Sequence, residues 1–317
     1  MNKILDPVEP VEQQGNDKSD LVRGVLVGTA VAVAFGVGGF FLVNDRTGGM
    51  GMVLFFLLPL ATGFAVAMTV EGKKIVTASL LVGAIICTVV LLLTRMEGWV
   101  CVLMSTPLIA IGLAAGALVG VVARDIFQSS SNRHYTSVLI LAALPFLLMG
   151  ANKAEEESRR TPRAETIANT LVVDAPREVV WEQLKTFDQI KGSKGLLMRI
   201  GLPVPVSCTM SGEGIGATRT CYFEEGHIAE KVTEWNPPSS MKLEITEFDV
   251  PGRPWLSFQD ASYELTQDGA RTTITRKTTI VSRLSPVWYW RRMEKIGVET
   301  EHEYLFEEVK RKVEAAK

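Results

Sequence analysis

The sequence predicts a membrane all-α helical bundle of four to five spans, followed by an α+β domain with an antiparallel sheet and a long C-terminal helix. Three observations lead there. Up to about Gly150 the chain is a series of apolar runs almost free of charge, whereas the remainder mixes polar and apolar residues as a water-soluble domain does. The soluble half shows short alternating runs separated by turn residues, the pattern of strands. After them comes one uninterrupted helical stretch to the end of the chain.

Residues 1–20 form a polar, acid-leaning tail. The first apolar run, 21–43, has only Arg23 near its start. It lacks the basic start, shorter core and small-residue cleavage site of a signal peptide, so a retained span is expected. Crossing about 30 Å of hydrocarbon takes about 20 helical residues. The runs 51–70, 75–93 and 100–122 meet that length, and 135–151, which contains Pro145, is at the short limit. Together, 21–151 is the expected transmembrane domain. The connectors 44–50, 71–74 and 94–98 are short enough to force sequence neighbours antiparallel. Gly112, Gly116 and Gly120 recur every fourth residue and offer a partner helix a flat face for close approach.

None of Asp, Glu, Lys or His stands at the centre of a span, so a proton or ion path lacks its groups. With five spans, Lys3, Lys18, Arg23, Lys73, Lys74, Arg124 and Arg133 fall on the N-terminal side, against Arg46 and Arg95 opposite. That favours a cytoplasmic N-terminus in the cytoplasmic membrane and an extracytoplasmic C-terminal domain. Lys153, Arg159, Arg160 and Arg163 pull the other way, and an interfacial 135–151 would return the domain to the cytoplasm.

Charge excludes one class of partner. There are 33 lysines and arginines against 35 acidic residues, with no basic stripe interleaved with aromatics, so no nucleic-acid partner is expected. No GxSxG, P-loop, HExxH or dinucleotide fingerprint occurs, and no Cys/His spacing suits zinc, so neither a metal nor a cofactor is expected.

Residues 152–165 are charged and interrupted by Pro162, as expected of a short linker before a domain over 166–317. There 166–173 reads as a strand, and Asp174-Ala175-Pro176 opens a helix to about Phe187 with Val179, Val180, Leu184 and Phe187 inward. A short helical or irregular stretch, 189–198, precedes six strands at 204–210, 217–224, 227–235, 241–248, 255–265 and 271–282. Ser285 and Pro286 then start a helix to about Ala315, roughly 45 Å long, with Gly297 its weak point.

One strand, one or two short helices, six antiparallel strands and a long terminal helix is the order of the helix-grip fold. "LVVDAPREVVWEQLKTFD" resembles the opening of the START-related, polyketide cyclase-like superfamily (SRPBCC), and "GEGIGATRTCYFEEGHIAEKVTEWNPP" resembles its hairpin and third strand. "LSPVWYWRRMEKIGVETEHEYLFEEVKRKVE" is similar to the terminal helix of membrane-associated members. The resemblance covers roughly 165–317. It implies a curved sheet wrapped around the long helix, with an elongated cavity for a lipid, sterol, polyketide, quinone or other hydrophobic ligand. Fold alone does not choose the ligand.

The candidate site residues follow from helical and strand spacing. Tyr289, Met293, Ile296, Gly297, Thr300 and Tyr304 fall near one face of the terminal helix as candidate ligand-binding residues, Gly297 leaving room. The competing reading packs all of them on the sheet. His302 is the candidate acid or base, whereas His227 is expected to be exposed in a turn. Arg219 and Glu230, if inward, would mark a polar end for a head group or a carbonyl; if outward, Arg219, Glu230 and Glu234 would include an ordinary cross-strand ion pair. A hairpin centred between Gly214 and Ile215 would set Cys208 opposite Cys221, and a disulfide there would favour an oxidising compartment. Trp288, Tyr289, Trp290, Arg291 and Arg292 form an aromatic and basic cluster suited either to a bilayer surface or to the core. A membrane protein whose C-terminal domain binds a lipid or other hydrophobic small molecule fits these features best. The alternatives are a cyclase- or dehydratase-like enzyme in the same cavity, using His302, Arg219 or Glu230, and a non-catalytic sensor or assembly factor.

Overall fold

The computed structural model describes residues 12–43, 50–94, 98–127, 133–159, 161–250 and 256–316. The chain forms two compact units.

The first unit is helical. It contains α1 (Glu12–Val43), a π-helical turn (Val53–Leu57) leading into α2 (Leu58–Thr69), α3 (Lys73–Leu93), most of α4 (Trp99–Phe127) and most of α5 (Arg133–Arg159). Among the described residues, four stretches are long and apolar enough to cross a membrane: Lys18–Val43, Lys73–Leu93, Trp99–Ile126 and Val138–Glu157. The run 51–70, expected as a full span, instead forms the shorter apolar helix Val53–Thr69. At 1.5 Å per residue it reaches about 25 Å, at the short limit for a span. Pro59 in its first turn and the extended Val70 at its end bound it. The run 135–151, expected at the short limit, sits within the longer α5.

Most of α2 is buried, including Ala65, Val66 and Ala67, which makes it the core of this unit. Arg124 of α4 donates from Nη1 to the carbonyls of Ala67 (3.2 Å) and Val70 (2.7 Å), placing a cation where the α2 carbonyls lack helical partners. The glycine face of α4 packs on α2. A Cβ on Gly112 would stand 2.8 Å from the Phe56 carbonyl oxygen, on Gly116 1.9 Å from that of Leu60, and on Gly120 2.8 Å from that of Phe64. The partner of this face is therefore the chain's own second helix. A second seam joins α1 to α3. There Gly24 meets Ile75, Gly28 meets Ser79, Ala32 meets Gly83 and Gly36 meets Cys87. Both seams advance in the same direction along their two helices, so each links alternate, parallel helices.

The second unit holds residues 155–317 together with 45–51 and 95–104. Its elements are β1 (Arg163–Val173), α6 (Arg177–Lys185), α7 (Leu196–Arg199), β2 (Pro205–Met210), β3 (Thr218–Phe223), β4 (His227–Asn236), β5 (Ser240–Asp249), β6 (Leu256–Asp268), β7 (Arg271–Ser282) and α8 (Val287–Ala315). The strands form one antiparallel sheet in the order β1-β7-β6-β5-β4-β3-β2, curved around α8, which is the helix-grip architecture. β2 to β7 follow one another as hairpins, while β1 joins the far edge by pairing with β7 from Arg163↔Ser282 to Val173↔Thr272. Burial alternates along β7, with Thr272, Ile274, Arg276, Thr278, Ile280 and Ser282 all inward.

The apolar core lies under the C-terminal half of α8. Leu305, Val309 and Val313 pack there with Val180, Leu184 and Phe187 from α6 and its exit, and with Leu243 and Ile274 from the sheet. Trp181 meets Trp235 edge-on, ring centroids 5.0 Å apart. The buried Glu308 accepts from the Lys191 amide (2.9 Å) and pairs with Arg311, tying the segment after α6 to the helix. The Arg311 and Lys191 contacts hold its carboxyl below the usual range despite burial. Two short segments from the helical half belong to this unit. Met50 bridges to Leu284 and its carbonyl accepts from the Ser285 amide (2.9 Å), and the first turn of α4 lies against it through the Tyr289 hydroxyl, which donates to the Met104 carbonyl.

Candidate functional site

Beneath the N-terminal half of α8 the side chains do not fill the space, and a cavity of about 190 Å³ remains within the second unit. Its walls are mainly apolar. Phe223, Ile245, Phe248 and Phe258 come from the sheet, Met293 and Leu305 from α8, and Val100, Cys101 and Met104 from the first turn of α4. The disulfide-bonded Cys208 and Cys221, directly opposed on β2 and β3 with Cα atoms 4.0 Å apart, also face it.

At the boundary between cavity and core lies a charged cluster. Arg219 on β3 and Glu230 on β4 are register partners, and Arg219 Nη1 lies 3.2 Å from Glu230 Oε2. Arg276 on β7 pairs with Glu301 on α8 at 3.0 Å. Both arginines face the ring of Tyr263 on β6, Arg219 at 5.6 Å and Arg276 at 5.5 Å from its centroid. Arg219 and Arg276 are 1% and 7% exposed, so their charges must be met inside the protein. The nearby carboxylates and Tyr263 outweigh desolvation and hold both guanidinium groups charged. Burial is the largest influence on the Glu301 carboxyl and pushes it above the usual range, with Arg276 opposing. Farther along α8, Glu294 accepts from Ser282 and pairs with Arg163.

The six candidate residues of the terminal helix part company. Met293 and Gly297 line the cavity; a Cβ on Gly297 would meet only Leu202, at 3.9 Å. Tyr289 reaches Met104 instead, and Ile296 is 46% exposed. Thr300 returns its hydroxyl to the Ile296 carbonyl (2.8 Å), and Tyr304 is buried with its hydroxyl toward the Ile190 carbonyl at 3.4 Å. Of the aromatic cluster, Trp290 is in the cavity wall and Trp288 is exposed. The cavity stripe runs through Trp290, Glu294, Gly297, Val298, Glu301 and Leu305. Glu294, Glu301 and Arg276 were not among the candidates. The available signal was the seven-residue spacing of Glu294, Glu301 and Glu308, two turns apart on one face, and the place of Arg276 in phase with Ile274 and Ile280.

His302 lies behind the wall rather than on it, fully buried. Asn169 Oδ1 can only accept, so His302 donates from Nδ1 (2.8 Å), and Nε2 accepts from the Thr278 hydroxyl (2.7 Å). The ring is neutral. Burial first and the Arg276 charge second bring its pKa down from 6.5 to about 2. The unfolded chain therefore takes up a proton below pH 6.5 that the folded domain refuses. The stability carried by neutral His302 is complete above that pH and falls by about 1.4 kcal/mol per unit as pH drops toward about 2. Between pH 6.5 and about 4.5, thermal midpoints of the wild type are expected to fall more steeply than those of His302→Gln. Parallel slopes would contradict the assignment. Glu301, held above its usual range, acts in the opposite sense in both proteins and drops out of the difference.

Glu234 is on the outer side with Asn236 and Ser240, and His227 begins β4 between Glu247 and Asp249.

No family model matches the chain, and no curated protein does. Among solved structures the chain is similar to norcoclaurine synthase from Thalictrum flavum, with 13% identity and a TM-score of 0.34 over 50% of this chain and 91% of that one. It is also similar to the Zhui aromatase/cyclase from a Streptomyces species, with 16% identity and a TM-score of 0.35 over 48% of this chain and 94% of that one.

Proposed function

We propose that this chain is a multi-span membrane protein whose C-terminal helix-grip domain binds a hydrophobic small molecule taken from the bilayer. The observation that carries the reading is the apolar cavity of about 190 Å³ with the first turn of α4 in its wall, α4 being long and apolar enough to cross a membrane. A concave, mostly apolar site with a few convergent polar groups is the form that small-molecule pockets take. Its volume is below the roughly 300–1,000 Å³ usual for drug-sized ligands, so the buried part of the ligand is small. Binding is favoured over acid–base catalysis by His302, because both of its ring nitrogens are engaged and it lies off the lining.

Native mass spectrometry of the full chain released from nanodiscs, after incubation with total membrane extract, is expected to show a stoichiometric apolar adduct. Gly297→Phe fills open space on a helix that gains from losing a glycine, so it should remain folded and lose the adduct. A bare wild-type mass, or an adduct indifferent to Gly297→Phe, would overturn the reading. An adduct of the same mass in Glu301→Gln and the wild type supports binding; a wild-type adduct lighter by one water supports conversion by a cyclase- or dehydratase-like enzyme that eliminates water, with Glu301 as its acid.

A further inference from the structure

Resting on that reading, we infer that the ligand carries a neutral carbonyl oxygen, received by Arg219 and Arg276 at the charged end of the cavity, with its apolar body along the N-terminal half of α8. The first ground is a count of hydrogen-bonding groups. Arg219 Nε and Nη2 and Arg276 Nε and Nη1 are buried without a well-formed hydrogen bond; the Tyr263 hydroxyl interacts with Arg219 and leaves the Arg276 groups unmet. Both arginines line the cavity. A guanidinium only donates, and each buried donor left unmet is costly. Glu230 Oε2 and both Glu301 oxygens are already engaged by the other N–H groups. The end of the cavity therefore has donors in excess and calls for an acceptor.

The second ground is charge. Two guanidinium groups and two carboxylates balance, so an anionic head would bring an uncompensated charge into a buried site. A hydroxyl accepts but also brings a further donor, and a hydrocarbon brings no acceptor. The carbonyl of a ketone, quinone or ester adds acceptor lone pairs and no charge. Burial raises the Glu301 carboxyl, and a protonated Glu301 would leave one positive charge free for an anion; a carboxylate probe reads that alternative directly.

The test compares acetylnaphthalene, naphthoate and ethylnaphthalene, substituted at the same ring carbon, by calorimetric titration into the full chain in nanodiscs with empty nanodiscs subtracted. The ketone is expected to bind about tenfold or more tightly than either of the others, the worth of one or two well-made hydrogen bonds. Arg219→Met/Glu230→Met, which removes a charge pair together, should bring the ketone close to the hydrocarbon, and Tyr263→Phe should narrow the gap. Equal binding of ketone and hydrocarbon overturns the carbonyl assignment and leaves the binding reading standing. Tightest binding of naphthoate overturns it on charge. Binding of none of the three, with a bare wild-type mass from membrane extract, sinks both. The three-probe comparison on the wild type decides the matter even where a variant fails to fold.

Discussion

Arg219→Met is expected to destabilise the C-terminal domain by about 3–5 kcal/mol, the cost of leaving a buried charge without its partner. Glu230 is 7% exposed and would lose its ion-pair partner, while Arg219 also gives up its contacts with the Phe187 and Tyr263 rings. Removing both charges in Arg219→Met/Glu230→Met should recover most of the loss, because two apolar side chains of similar length refill the space without an orphaned charge. Denaturant unfolding of the full chain in nanodiscs, followed by near-ultraviolet circular dichroism, gives the double-mutant cycle. A single variant as stable as the wild type, or a double variant no better than the single, would show that the pair is not the buried unit described.

The second large effect belongs to the helical unit. Gly116→Ala puts a Cβ 1.9 Å from the carbonyl oxygen of Leu60 and 2.7 Å from its carbon. Both are backbone atoms of α2, which cannot swing aside as a side chain would, so α2 and α4 must move apart. Separation uncouples α4 from the most buried helix of the unit, at a cost of about 3 kcal/mol, the upper part of the range for overpacking. Gly38→Ala in α1 is the control: nothing lies within 4 Å of its added carbon, and alanine favours helix. Thermal unfolding of the helical signal in nanodiscs should fall sharply for Gly116→Ala and stay level or rise for Gly38→Ala. Equal midpoints would mean that the α2–α4 seam is not close-packed.

Much of the C-terminal domain was legible because its signals are local. The six-strand meander follows from short alternating runs between turn residues, and β7 runs over Arg271–Ser282 as expected. The face of α8 was harder. Apolar periodicity points to Tyr289, Ile296 and Thr300, yet the inward stripe carries Glu294 and Glu301, because Arg163 and Arg276 stand opposite to receive them. A carboxylate is read as a solvent residue until its cation is known, and Arg276 is separated from Glu301 by most of two elements. The same holds for Arg219 and Glu230. Their inward placement was one of two faces open to an alternating strand, and burial of both in one register pair chose between them.

In the helical half the glycines at 112, 116 and 120 announced a close approach, and short connectors announced antiparallel neighbours. Neither told which helix would lie in the groove. That α2 pairs with α4, and α1 with α3 through Gly24, Gly28 and Gly36, depends on which surfaces remain after the connectors are satisfied. The order and type of the soluble elements, the apolar character of the first half and the likeness to the helix-grip fold were determined by the sequence alone, since periods of 2 and 3.6 residues are written within each segment. The pairing of β1 with β7, the helix seams, the cavity face of α8 and the unmet donors at its charged end were decided only in the tertiary structure. Each arises from groups far apart in the chain, whose burial and charge balance have no meaning until they meet.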